Sequence, residues 1–123
     1  MASERSTKMP KQRPKAVQAE RIRILNDTFR QSGSGGRIMI TSGVHALGPE
    51  FVSRAMAAVA AFDAFDADNV PHHEHDFGAL MVDGERLFFK IDYYDPTLTM
   101  GSPEPADGAV TCRVMTVMLA SEY

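Results

Sequence analysis

The side chains best suited to chemistry lie in His72-His73-Glu74-His75-Asp76, the densest run of metal-ligating and proton-transferring groups in the chain. In an extended backbone, residues two apart project to the same side, so His73 and His75 would share a face. A carboxylate from a neighbouring strand would complete a set of two histidines and one acid, which zinc accepts with water as fourth ligand. Without a metal, the same groups suit acid–base work. A carboxylate beside His75 would orient the imidazole, raise its pKa and let it exchange protons near neutrality. The same pair on adjacent strands would also serve as a plain cross-strand ion pair.

The element that must position these groups is a β-hairpin over residues 76–93. Asp83-Gly84 is a two-residue turn of the kind that suits positive φ angles and the twist of the flanking strands. After it, Leu87, Phe89, Ile91 and Tyr93 alternate with Arg86, Lys90 and Asp92. A two-residue loop sets Val82 opposite Glu85 and thereby fixes the register. Leu80 then faces Leu87, Gly78 faces Phe89, Phe77 faces Lys90 and His75 faces Asp92; continued pairing would set His73 against Tyr94. The core face carries Leu80, Val82, Leu87, Phe89 and Ile91. The other face gathers His73, His75, Lys90, Asp92 and Tyr94. His75 and Asp92 are the catalytic candidates, and His73, His75 and Asp92 the metal candidates. His73, Lys90, Tyr94, Asp95 and Tyr123 are the candidates for a binding surface. No cofactor is expected; zinc is the one that this donor set would accept.

The remaining elements read as cover for this hairpin. Ile22, Leu25 and Phe29 fall at helical spacing and predict a helix over 17–31, ended by Gly33-Ser34-Gly35-Gly36. That glycine run follows no strand and precedes no Gly-Lys-Ser/Thr, so it is a connector rather than a phosphate loop. Residues 37–41 alternate as a short strand, and a loop over 41–48 contains His45. Pro49 suits a first helical position, opening a helix to residue 62 with Val52, Met56, Val59 and Phe62 on one stripe. The acidic stretch after it lacks the glycine and closing glutamate of a calcium loop. Asp107 can cap a last helix over 108–120, apolar enough to be buried, with Cys112 as a small core residue. The expected fold is α+β, in the order α-β-α-β-β-α: a small antiparallel or mixed sheet with a central hairpin packed by three helices.

Composition sets the class. A chain of 123 residues, 44% hydrophobic and 24% charged, has material for one globular domain, placed at 17–123. Five basic residues against Glu4 give residues 1–16 a charge of +4, leaving −7 on the rest of a chain whose total is −3. The basic segment, with Pro10 and Pro14, reads as a disordered tail. The acidic body argues against nucleic acid as a partner. No run is long enough to span a membrane and no apolar stretch follows the basic start, so the expected location is the cytoplasm. One cysteine allows no internal disulfide.

Several strings together resemble a known family: Ile22-Arg23-Ile24-Leu25-Asn26-Asp27, Glu74-His75-Asp76-Phe77-Gly78, Lys90-Ile91-Asp92-Tyr93-Tyr94-Asp95-Pro96, Gly101-Ser102-Pro103 and Met118-Leu119-Ala120-Ser121-Glu122-Tyr123. The chain resembles, over residues 20–123, the small bacterial proteins grouped as domain of unknown function 3768. That resemblance implies a single cytoplasmic domain and a setting that includes mobile genetic elements, and it supplies no activity. The expectation is a small accessory protein that binds another protein, with Phe88, Tyr93, Tyr94 and Tyr123 as aromatic anchors. A host-defence complex as partner is an analogy only. A small enzyme or metal-binding protein using His73, His75 and Asp92 is the alternative, and a homodimer through the hairpin edge a third reading.

Overall fold

The computed structural model describes residues 15–65 and 74–123. Helix α1 spans Lys15–Ser32, strand β1 Gly36–Ile40, a one-turn helix α2 Ser42–His45, and helix α3 Pro49–Ala61. The hairpin follows as β2, Phe77–Val82, and β3, Glu85–Tyr94; β4 spans Cys112–Leu119 between short 3₁₀ turns at Gly108–Val110 and Ala120–Glu122. The class is α+β, as expected. The strands form one mixed sheet in the order β1-β4-β3-β2, with β1 parallel to β4 and the other neighbours antiparallel.

The hairpin has the expected register, from Val82 opposite Glu85 to Phe77 opposite Lys90. Asp83 and Gly84 have φ angles of 53° and 81°, the double positive pair that such a turn requires. β2 is an edge strand, however, and the middle of the sheet is β3 with β4.

The last element corrects the sequence reading: residues 112–119 form a strand, not a helix. A short apolar run buried on several sides has no periodicity that separates a helix from an inner strand. Val114, Thr116 and Val117 tip the balance, because β-branched side chains fit a pleated surface better than a helix. Arg113, Met115 and Val117 turn to the core face of the sheet, and Cys112, Val114 and Thr116 to the other. The loop expected at 41–48 also contains α2, capped by the Thr41 side chain, which accepts from the Val44 amide.

Helices cover one face of the sheet. Phe29 of α1 and Val59 of α3 pack on Phe89, Ile91, Met115 and Val117. Val44 of α2 and Phe51 and Ala55 of α3 pack on Val82 and Leu87. The buried stripe of α3 is thus Phe51, Ala55 and Val59, with Val52 and Met56 only partly buried. α1 begins at Lys15, two residues before the expected start. Of the tail expected at residues 1–16, residues 1–14 lie outside the described residues, and Lys15 and Ala16 already belong to α1. Among those described, no helix is long and apolar enough to cross a membrane.

Candidate functional site

His75 does not face Asp92. Its φ of 58° places it in the left-handed region, so β2 begins only at Phe77. Ladder bonding ends one residue earlier, where the Ile91 amide donates to the Asp76 carbonyl at 2.8 Å. The His75 ring turns instead to the helix side. Its Nδ1 lies 2.9 and 3.1 Å from the two carboxylate oxygens of Asp27 on α1. It stacks on Phe65 with centroids 3.8 Å apart and planes 5° apart.

Asp27 also accepts from Arg30, whose Nη1 is 2.9 Å from Oδ1. Arg30 is buried, and its remaining donors reach the Val59 and Phe62 carbonyls at the end of α3, both at 3.1 Å. One arginine therefore caps this helix end, satisfying the Phe62 carbonyl and adding a second donor to Val59, which also accepts from the Phe62 amide. Asp27, Arg30, Phe62, Asp63, Phe65 and His75 line a cleft of about 330 Å³. A carboxylate on Nδ1 orients the ring and leaves Nε2 to exchange protons. Among the described residues nothing hydrogen-bonds to Nε2, so no nucleophile is held against it.

A second polar cluster adjoins the first. Asn26, fully buried on α1, donates to the Glu74 carbonyl at 2.9 Å and to the Tyr93 hydroxyl at 2.8 Å. Tyr93 donates in turn to Glu74 Oε1 at 2.8 Å. Arg113 Nε donates to Asn26 Oδ1 and its Nη2 to the Pro105 carbonyl, both at 2.6 Å. Its guanidinium also lies over the Tyr93 ring, 5.1 Å from the centroid. Burial pushes the Tyr93 phenol well above its usual range, reinforced by the bond to Glu74, with Asn26 opposing. Burial likewise lowers the pKa of Arg113. Tyr93 is thus fixed toward the helices and does not serve as an outward anchor.

The opposite face of the sheet has a different character. Lys90 and Asp92, two apart on β3, form an ion pair at 2.9 Å. The bond to Asp92 raises the Lys90 pKa although partial burial opposes it. Toward the β2 side, Phe77, Phe88 and Tyr123 form an aromatic cluster, with centroids 5.1 Å apart for Phe77–Phe88 and 5.4 Å for the T-shaped Phe88–Tyr123 pair. Met118, opposite Phe88 on β4, is buried among its neighbours on this face. Tyr94 lies on the same face, half-buried. Asp95 turns away into its own loop, accepting from the Thr97 hydroxyl and from the Thr99 amide and hydroxyl. Those bonds, the Thr99 amide first, lower its pKa.

Of the sequence candidates, then, Lys90, Asp92, Tyr94 and Tyr123 share the open face and His75 lies on the helix side. His73 falls outside the described residues. Among those described, no three His, Cys, Asp or Glu side chains gather as a metal site. Sequence reasoning missed Asn26, Asp27, Arg30, Glu74 and Arg113 as partners of His75 and Tyr93. One signal was present: Asn26-Asp27, Glu74-His75 and Tyr93 all fall in the strings that carry the resemblance, and the fold brings those strings together.

A family model covers residues 40–122, more than half of the chain. The protein belongs to the family described as protein of unknown function (DUF3768). No curated protein and no solved structure matches the chain. The family match takes in β2, β3 and β4 but only the last residue of β1, Ile40, while α1, which carries Asn26, Asp27 and Arg30, precedes it.

Proposed function

We propose that this member of DUF3768 is a binding module that docks another protein on the open face of its sheet. One observation carries the reading. The face away from the helices presents Phe77, Phe88 and Tyr123 as a contiguous aromatic cluster, beside the Lys90–Asp92 pair. Tyr123 is 74% exposed, and Met81 and Met39 on the same face are 62% and 57% exposed. Aromatic side chains bury large areas for little lost rotamer freedom and dominate binding energies at interfaces. An ion pair at the rim adds orientation rather than affinity. The acidic balance of the body favours a protein partner over nucleic acid.

The Asp27–His75 pair supports a second reading, acid–base chemistry in the cleft on the helix side. The two separate by substitution. Docking predicts that Tyr123→Ala and Tyr94→Ala lose a partner that co-purifies with the wild type while the circular dichroism spectrum is unchanged. It also predicts that His75→Ala retains that partner. Loss on His75→Ala alone, with the fold intact, transfers the function to the cleft.

A further inference from the structure

We propose that two copies of this chain join through the β2 edge, making one continuous sheet across a two-fold axis at Ala79. In β2 the even-numbered residues turn their backbone groups toward β3, as the bond from the Ile91 amide to Asp76 shows. The N–H and C=O groups of Phe77, Ala79 and Met81 therefore point outward, away from the sheet. Among the described residues none of them has a hydrogen-bond partner. The strand from Phe77 to Val82 carries no charge, proline or bulge, the devices that ordinarily protect an edge. The opposite edge, β1, carries Arg37. The exposed edge is also held in place: Arg54 of α3 clamps the turn through Asp83, with N–O distances of 2.6 and 2.7 Å.

A second copy fits because the register is palindromic. Centred on Ala79, an antiparallel pair sets Ala79 against Ala79 of the partner subunit and Phe77 against Met81 of the partner subunit. Every outward group then faces an outward group, at two hydrogen bonds per facing pair and about six in all. The alanine methyls leave room at the axis. Each Met81 sulfur meets an aromatic ring, a favourable contact for a thioether. No charge opposes a like charge along the seam. The interface is isologous and closes at two copies. Phe77 and Met81 belong to the open face as well as to this seam, but the seam is held by the backbone edge and docking by Phe88, Tyr94 and Tyr123 too, so the inference can fail while docking survives.

The test is the mass in solution, by sedimentation velocity or light scattering, of full-length wild type, Ala79→Lys, Ala79→Glu and an equimolar mixture of the two variants. The Ala79 side chain points to the open face, so both variants keep the fold, checked by circular dichroism. The expected results are twice 13.5 kDa for the wild type, half that mass for each variant alone, and recovery of the dimer on mixing opposite charges. A monomeric wild type overturns the proposal. A dimer that survives both substitutions overturns it too, as does a mixture that stays monomeric.

Discussion

Single residues in this protein are fixed mostly by partners far away in sequence, which is why so little of the polar interior was legible. His75 is a case in point: strict alternation put it across from Asp92, and one positive φ angle sent it to Asp27 instead. Asn26, Arg30 and Arg113 look like surface residues in the sequence, yet all three are buried and bridge elements. Removing one member of such a network leaves the others unpaired. Tyr93→Phe deprives both Asn26 and Glu74 of a partner and is expected to cost about 1–3 kcal/mol in urea unfolding. Asp27→Ala strands the buried Arg30; the cost should be about 2–3 kcal/mol, below that of a fully buried pair, because Asp27 remains 28% exposed. Alkaline titration tests Tyr93 separately. An unfolded tyrosine ionises near pH 10, while folded Tyr93 keeps its proton, so unfolding releases a proton above that pH. Stability should fall as pH rises past it. Tyr93→Phe should leave the tyrosinate absorbance of the folded protein unchanged up to that range.

At the scale of elements, the hairpin was readable because its turn dictates its register: Asp83-Gly84 allowed little else. The C-terminal segment was not, because an inner strand and a buried helix share the same unbroken apolar composition. Close packing makes its own demands. A Cβ at Gly78 would collide with the Phe89 ring, which occupies the space a side chain would need. Gly78→Ala is expected to cost about 1–3 kcal/mol as overpacking, read from the denaturation midpoint. The final turn is tied to the start of α2 by Glu122, which accepts from the Thr41 hydroxyl at 2.7 Å, the Leu119 amide at 2.8 Å and the Gly43 amide at 3.1 Å. Those bonds, Thr41 first, lower the Glu122 pKa. A depressed carboxyl stabilises the fold above its ordinary pKa of 4.5 and loses that contribution as pH falls through the lowered value. Glu122→Gln should therefore lower the melting temperature at neutral and alkaline pH, converge on the wild type in acid, and so flatten the acid limb while the alkaline limb keeps its shape.

For the whole molecule, the sheet is asymmetric: three helices fill one face, and the other carries, among the described residues, aromatics, methionines and the Lys90–Asp92 ion pair. Hydrophobic alternation in the hairpin showed that two faces exist and named the core of one. It did not show that Phe77, Phe88 and Tyr123 meet, because Tyr123 joins them only once β4 is a strand beside β3. The most direct measurement of the docking claim is site-specific photo-crosslinking in the source cell. A photoreactive amino acid would replace Tyr123 or Met39 on the open face, or Glu50 or Ser53 on exposed positions of α3. Docking predicts a discrete adduct with a different protein from Tyr123 and Met39 and none from the α3 positions. Adducts from α3 alone, or no adduct with another protein from the open face of a folded, expressed chain, would contradict it.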